Sequence, residues 1–171
     1  VCSSDLIVMM DKDMMIRIAG VRKDSSDDGP GLRTVIFFQG CHMHCPGCQN
    51  KETQDPNGGV VWTVGELVKK VKEENYTHKV TISGGEPLEQ LPGLRCLIRQ
   101  LENEGFDVGI YTGWNLNQVP LDLFPYLSFI KVGNFQKDLK NPSLHFVGSE
   151  NQSLYRISHE DGNNVLTSVN L

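Results

Sequence analysis

Three cysteines lie close together in the first third of the sequence, at Cys41, Cys45 and Cys48. Their spacing, C-x3-C-x2-C, lets three thiolates from a single loop bind one side of a metal centre. An iron–sulfur cube normally takes four cysteine ligands. Three cysteines leave one iron free for a further molecule, as a catalytic zinc keeps one coordination position open. The cysteine cluster therefore predicts a metal centre with an open binding position.

A structural zinc site is the alternative interpretation of the same residues. Zinc sites with three cysteines and one histidine are common, and His42, His44 or Cys96 could supply the fourth ligand. The spacing alone does not decide between zinc and an iron–sulfur cluster. Cys96 lies about half a turn from the apolar stripe of its helix. We therefore expect Cys96 to stay outside the site, and both histidines to be surface residues.

A second candidate site is the segment Ser83-Gly84-Gly85-Glu86-Pro87. Two glycines allow the backbone to approach a ligand closely, and Glu86 can accept a hydrogen bond from an ammonium group. By itself the segment is better explained as a strand-to-helix turn with a solvated glutamate. Its occurrence together with three clustered cysteines favours ligand binding.

Apolar segments that alternate with helical patterns predict the fold class. The β-branched and aromatic run 34–38 has no polar alternation, which indicates a strand buried on both faces. Further strands are predicted at 16–21, 79–83, 107–112 and 127–132. Strands separated by helices are typical of βαβ units. We therefore predict an α/β protein with parallel strands.

Two helices and a hairpin are also predicted. Thr63 and Glu66 form a T-x-x-E capping box at the start of the first helix. The second helix follows a break at Pro92-Gly93 and ends near Gly105. A hairpin is predicted around 161–163.

Three loops rich in glycine or cysteine, 40–48, 84–86 and 112–113, each follow a predicted strand. In parallel α/β architectures such loops meet at the carboxyl edge of the sheet, where ligands bind. Three distant segments are therefore expected to form one site.

The cysteine spacing and the segment 83–87, each after a strand, together resemble the radical S-adenosylmethionine (SAM) superfamily. The resemblance implies an incomplete β/α barrel of parallel strands. It also implies that Cys41, Cys45 and Cys48 hold a 4Fe-4S cluster, and that SAM chelates the fourth iron through its amino and carboxylate groups. With both motifs present, the cluster is favoured over structural zinc.

The similarity extends from about Ile16 to Ile157, and further segments in this range point to one branch of the superfamily. The segment 28–34 (DGPGLRT) is similar to glycyl-radical activating enzymes. The remaining matches resemble anaerobic ribonucleoside-triphosphate reductase-activating proteins. They are 45–51, 111–114, 138–144 and 148–152.

Two positions depart from the wider pattern. Gly47 replaces the aromatic residue of many radical SAM proteins, although the reductase-activating branch also has glycine there. Lys131-Val132-Gly133 stands where this branch often has Val-Asp-Gly, so the role of this strand end stays open.

The narrower resemblance implies an enzyme that cleaves SAM reductively and generates a glycyl radical on the large subunit of anaerobic ribonucleotide reductase. An electron donor such as flavodoxin would supply the electron. No conventional acid or base is nominated. Gly84, Gly85 and Glu86 would contact the amino group of SAM, and Thr112 and Gly113 would lie on the same rim. The candidates for contact with the adenosine are Gly47, Gln49 and Asn50, which flank or follow the ligand Cys48.

Composition limits the other possibilities. The 171 residues carry a net charge of -5 with scattered acidic residues, so nucleic acid is not expected as a partner. The five cysteines are an odd number and three are crowded, unlike a secreted disulfide framework. Apolar runs are too short to cross a membrane and no leader pattern is visible. We expect a cytoplasmic protein without a membrane partner.

The first residues of the chain are expected to lie outside its single domain. The sequence begins at Val1, and plausible starts are offered by Met9, Met10, Met14 and Met15. We expect the native chain to begin near Met14 or Met15. We predict one domain over 15–171, with 1–14 as a possible non-native extension in which Cys2 has no role.

Three rival functions remain at this point. The first is an activating enzyme of the pyruvate formate-lyase type, which shares the segment 28–31. The second is a non-catalytic zinc-binding module, and the segment 83–87 counts against it. The third is a redox-sensing thiol protein that uses Cys45 and Cys48, although their surroundings lack the helix start typical of such pairs.

Overall fold

A computed structural model describes residues 3–171, which form one eight-stranded sheet and three α-helices. The helices are α1 (Ser3–Asp13), α2 (Val64–Glu74) and α3 (Leu91–Asn103). The strands are β1 (Met15–Ser25), β2 (Arg33–Phe38), β3 (Val60–Thr63), β4 (Lys79–Gly84), β5 (Asp107–Tyr111), β6 (Phe129–Val132), β7 (Ser153–Glu160) and β8 (Asn163–Ser168).

The centre of the sheet is parallel and its flanks are antiparallel. The strand order is β3-β1-β2-β4-β5-β6-β7-β8, and β2, β4, β5 and β6 run in the same direction. The sheet is open, because β3 and β8 each have one neighbour. This arrangement confirms the prediction of an α/β protein with parallel strands that form an incomplete barrel.

The two faces of the sheet have different coverings. Ile36, Ile82, Ile110 and Ile130 lie side by side across the four parallel strands. All four are fully buried in the main core together with apolar residues of α2 and α3. The alternate residues of the same strands face the inside of the partial barrel, where Tyr111 belongs to a smaller cluster.

Helix α2 begins as its capping box predicts. The Glu66 amide donates to Thr63 Oγ1 at 3.2 Å, and the Thr63 amide donates to Glu66 Oε2 at 3.0 Å. The predicted hairpin is confirmed as β7 and β8. Its two turn residues, Asp161 and Gly162, both have positive φ, as a tight hairpin turn requires.

Two expectations about α3 were wrong. Pro92 lies in the first turn of the helix and does not break it, since proline is tolerated where the N–H would be unpaired. Cys96 is buried, although it was expected off the apolar stripe. Helix α1 packs on α2 and α3 and covers this side, and Cys96 Sγ donates to Asp11 Oδ1 at 3.1 Å.

Helix α1 lies within the predicted extension 1–14. Its Asp11 is buried and accepts two hydrogen bonds from Arg99. Val1 and Cys2 lie outside the described residues. The proposal that 1–14 is not native therefore stays a prediction. Among the helices of 3–171, none is both long and apolar enough to cross a membrane.

The amino end of the parallel strands is closed by Arg33. This side chain is 1% exposed, and its guanidinium donates to Thr81 Oγ1 at 2.9 Å and to Asp107 Oδ1 at 2.7 Å. Burial opposes ionisation of Asp107, but hydrogen bonds from Ser128 and Arg33 lower the pKa of this carboxyl below its usual value. A closed amino end leaves the carboxyl end of the sheet as the place for a ligand.

Candidate functional site

The carboxyl end of the parallel strands surrounds a cavity of about 150 Å³, here called the cofactor cavity. The loops after β2, β4 and β5 all reach it, as the sequence predicted. Ten of the predicted site residues line it. They are Cys41, Cys45, Cys48, Gln49, Asn50, Gly84, Gly85, Glu86, Thr112 and Gly113.

The cysteine loop is shaped by a tight turn between its second and third cysteines. The Cys48 amide donates to the Cys45 carbonyl at 3.1 Å, and Gly47 at the third turn position has a φ of 75°. Proline followed by a glycine of positive φ is typical of a type II turn. The turn brings Cys45 and Cys48 to the same cavity. Gly47 itself packs near Phe135 and Lys137 and is not among the lining residues.

The thiol of Cys41 is half-buried in the cysteine loop. Burial raises its pKa, and the carboxylates of Glu89 and Glu86 add to this, while backbone hydrogen bonds oppose it. Binding of a metal must therefore displace a proton from Cys41, because only a thiolate is a good ligand.

The two glycines of the loop after β4 serve close backbone packing. A Cβ on Gly84 would clash with the backbone of Phe38, and a Cβ on Gly85 would clash with the carbonyl of Gly40. The Gly85 amide donates to the Phe38 carbonyl and the Glu86 amide to the Gly40 carbonyl, both at 2.9 Å. These bonds join the loop after β4 to the loop that leads into the cysteines.

Glu86 joins the same loop to the end of β5. Its Oε1 accepts from the Leu88 amide at 3.0 Å and from Thr112 Oγ1 at 2.8 Å, and its Oε2 accepts from the Gly113 amide at 2.8 Å. Burial raises the pKa of this carboxyl. A carboxylate has about four acceptor positions, so these three bonds leave little capacity for a ligand. The predicted contact between this side chain and the amino group of SAM stays a prediction.

Tyr111 and Lys131 are among the cavity residues that sequence reasoning did not nominate. They are direct neighbours on β5 and β6, and the Lys131 ammonium lies 4.4 Å from the centre of the Tyr111 ring. Among the described residues the Tyr111 hydroxyl is buried without a hydrogen-bond partner. Strand alternation could have found both, since each follows an isoleucine of the buried row.

The C-terminal segment 148–152, noted above only as part of a resemblance, forms one wall of the cavity. Gln152 Oε1 accepts from the Gly148 amide at 2.8 Å, and its Nε2 donates to the Gly133 carbonyl at 2.9 Å. Gly133, Gly148 and Gln152 all line the cavity. The strand end at 131–133, whose role was open, thus contributes Lys131 and Gly133 to the site.

A second cavity of about 560 Å³ adjoins the first. Its walls come from the loop between β1 and β2 and from residues 140–148, and Lys131, Tyr111 and Asn50 line both cavities. A ligand in the cofactor cavity is therefore close to a larger space on the inner face of the sheet.

The donors present fit an iron–sulfur cluster better than zinc. Three thiols line one cavity, and the Asn50 amide donates to Cys48 Sγ at 3.4 Å. The three candidates for a fourth zinc ligand are held elsewhere. His42 lies 2.8 Å from a carboxylate oxygen of Glu89, His44 lies 3.2 Å from the Gln54 side-chain oxygen, and Cys96 is beneath α1.

Comparisons with known proteins identify the family of the chain. Residues 27–155 match the model of a family described as a 4Fe-4S single cluster domain. The chain is 33% identical over 141 residues to the anaerobic ribonucleoside-triphosphate reductase-activating protein of Salmonella typhi, and the match covers 76% of this chain and 92% of that protein. The chain belongs to this family of activating proteins.

Two further comparisons concern a second activating enzyme and the fold. The pyruvate formate-lyase-activating enzyme of Clostridium pasteurianum is 38% identical over 104 residues, which cover 58% of this chain and 44% of that enzyme. The crystal structure of QueE from Escherichia coli has a TM-score of 0.53 at 20% identity, and the match covers 71% of this chain and 72% of that one. QueE thus shares the fold.

Family membership confirms the resemblance drawn from the sequence. The protein is a radical SAM activating enzyme, and its cofactors are a 4Fe-4S cluster and SAM. The zinc-binding module is thereby set aside.

Proposed function

We propose that this enzyme generates the glycyl radical of an anaerobic ribonucleotide reductase and that the large subunit of the reductase is its protein substrate. The observation that carries the proposal is the meeting of three distant segments in one cavity. We assign the adjoining second cavity to the glycine-bearing loop of the partner. Similarity to the reductase-activating protein over nearly its whole length supports this choice of partner.

The bound cofactors supply one reaction: one electron and one SAM give methionine and 5′-deoxyadenosine, and a glycine Cα–H of the partner loses its hydrogen atom. The protein binds, orients and shields, because the cofactors carry the hard chemistry. Cys41, Cys45 and Cys48 would bind the cluster. Eight further residues are the candidates for contact with SAM: Gly47, Gln49, Asn50, Gly84, Gly85, Glu86, Thr112 and Gly113.

The electron needs a donor of low potential, for which reduced flavodoxin is our candidate. An iron–sulfur site also needs reduced thiols, which the cytoplasm maintains. We therefore place the protein in the cytoplasm.

The second candidate partner is a lyase of the pyruvate formate-lyase type. The match to its activating enzyme is higher in identity but spans only 44% of that enzyme. The match to the reductase-activating protein spans 92% of that protein. This coverage favours the reductase, as does the resemblance of the segment 148–152 to the reductase-activating branch.

The first experiment tests the chemistry. The protein is reconstituted anaerobically with iron and sulfide, reduced with dithionite and mixed with SAM, and deoxyadenosine is measured. The wild type should be brown and release deoxyadenosine, and Cys45→Ala should do neither. Cys96→Ala is the matched control, because this cysteine lies outside the cavity, and it should retain both properties. A colourless wild type that leaves SAM intact would refute the proposal.

The second experiment tests the partner. Reduced enzyme and SAM are mixed separately with an anaerobic ribonucleotide reductase and with pyruvate formate-lyase, and electron paramagnetic resonance detects a glycyl radical. We expect the radical on the reductase. A radical on the lyase alone would assign the protein to the second partner.

A further inference from the structure

We propose that the ammonium group of Lys131 binds the carboxylate of SAM at the boundary between the two cavities. The inference rests on the proposed function, because it names a contact to the cofactor of that reaction. It gives Lys131 a role in positioning SAM. Lys131 belongs to the segment 131–133, where the sequence departs from the reductase-activating branch.

The location of Lys131 is fixed by the sheet. Lys131 pairs with Tyr111 between β5 and β6, and its ammonium lies 4.4 Å from the centre of the tyrosine ring. The face of an aromatic ring attracts a cation and holds it in place. The side chain therefore projects from the inner face of the sheet into the space that both cavities share.

The charge of Lys131 is not matched inside the protein. The buried guanidinium of Arg33 forms an ion pair with Asp107, and the guanidinium of Arg99 forms one with Asp11. Across residues 3–171, Lys131 has a ring contact but no hydrogen bond or ion pair from its ammonium. Burial lowers its pKa to about 8, against the weaker pull of the Asp28, Glu86 and Cys48 charges. A cation in such a place is stabilised by an anionic ligand.

The described lining of the cofactor cavity contains one basic residue, Lys131, and one acidic residue, Glu86. The Glu86 carboxylate already accepts hydrogen bonds from three protein donors, so it does not match the lysine. SAM carries one carboxylate together with an ammonium and a sulfonium. The single unmatched cation of the cavity and the single anion of the ligand are therefore complementary.

The Tyr111 hydroxyl gives a second, independent sign of a ligand. It lines both cavities, belongs to a residue that is 8% exposed and has no hydrogen-bond partner among the described residues. A buried hydroxyl without a partner is costly. A ligand at the Lys131 ammonium, or a water bound to that ligand, would lie next to the Tyr111 ring. It would supply hydrogen-bond partners for the Lys131 ammonium and the Tyr111 hydroxyl.

The test measures SAM binding by anaerobic equilibrium dialysis of reconstituted protein, with the iron content recorded for each sample. Lys131→Met should bind SAM about ten-fold more weakly or worse, which is the size expected for a hydrogen bond to a charged group. Lys131→Arg keeps the charge and should restore most of the affinity. Lys140→Met is the matched control, because Lys140 lines only the second cavity, and it should bind SAM as the wild type does.

Decarboxylated SAM is the second probe. It lacks the carboxylate, so Lys131→Met should bind it as well as the wild type or better. An equal loss of affinity for both probes would overturn the proposal, as would equal SAM affinity in the wild type and Lys131→Met. Loss of iron in Lys131→Met that Lys131→Arg restores would make Lys131 a partner of the cluster and also refute it. A reconstituted wild type that binds no SAM contradicts the proposed function itself.

Discussion

Single residues in this protein show which charges serve the fold and which are left for a ligand. The guanidinium of Arg33 is surrounded by acceptors at the amino end of the strands. Among the described residues, the ammonium of Lys131 at the carboxyl end has an aromatic ring contact but no hydrogen bond or ion pair. Both lie on the inner face of the same sheet, where Arg33 is buried and Lys131 is half-buried. The difference in their partners separates a structural cation from one that is available to a ligand.

Replacement of Arg33 should destabilise the fold. Arg33→Met leaves Thr81 and the Val80 carbonyl without their donor, and we expect a loss of about 2–3 kcal/mol in the free energy of unfolding. Arg22→Met is the matched control, since Arg22 is exposed and lies 3.8 Å from Asp28; it should change stability by less than about 1 kcal/mol. Urea unfolding of the protein without cluster measures both. Equal effects of the two changes would contradict the structural role of Arg33.

Lys131 should give the stability a pH dependence. Its pKa in the folded protein is about 8, below the usual 10.5, so between these values the unfolded chain binds more protons. The stability that this group contributes is therefore present above pH 10.5 and is lost as the pH falls to about 8. Asp28, Glu86, Cys48 and Tyr111 face the same group, so the comparison is made with Lys131→Met. The wild type should gain stability relative to this variant as the pH rises through this window; parallel curves would contradict it.

The secondary-structure elements show how far sequence reasoning could reach. Signals that act within a few residues were sufficient for the capping box of α2, the turn between β7 and β8 and the four parallel strands. The strand β3 was missed because Val60 and Val61 are exposed and follow a polar loop, so only its pairing with β1 makes it a strand. The helix α1 was missed for a similar reason. Its contacts are made with distant helices.

The candidate site was predictable where chemistry depends on residue type and spacing. Cysteines and glycines carry such a signal, and ten predicted residues line one cavity. Strand alternation indicates the face on which Lys131 and Tyr111 lie, but their contact depends on the register between β5 and β6, which the sequence does not give. The function of the glycines was also only partly visible, because their close neighbours are backbone atoms of another loop.

The junction between the loops after β2 and β4 should be sensitive to a single methyl group. Gly85→Ala would place a Cβ against the carbonyl of Gly40, and we expect a loss of roughly 2 kcal/mol or more together with poorer cluster incorporation. Gly20→Ala is the matched control, because no atom lies within 4 Å of its new Cβ, and it should be close to neutral. Thermal unfolding and iron content measure the two effects. Normal iron content in Gly85→Ala would show that the junction does not position the cysteines.

At the scale of the whole molecule, the protein divides into a helical side and a cavity side. Helices α1, α2 and α3 pack together over the row of isoleucines. Both cavities open on the opposite face, and no described residue of α1 lines them. Changes at α1 should therefore affect stability more than chemistry.

A chain that starts at Met14 tests this division and the predicted domain boundary together. It should still take up its cluster and release deoxyadenosine at a rate per cluster like that of the full chain. Its melting temperature should fall modestly, because Arg99 loses its bonds to Asp11. Loss of deoxyadenosine formation at full iron content would show that the first residues serve the site.

The hydrogen bonds between the three loops have a consequence for repair after exposure to air. The bonds from Gly85 to Phe38, from Glu86 to Gly40 and from Gly113 to Glu86 involve no metal. We therefore expect that oxygen which destroys a cluster removes the iron and leaves the walls of the cavity in place. An enzyme damaged in this way should accept iron and sulfide again without unfolding.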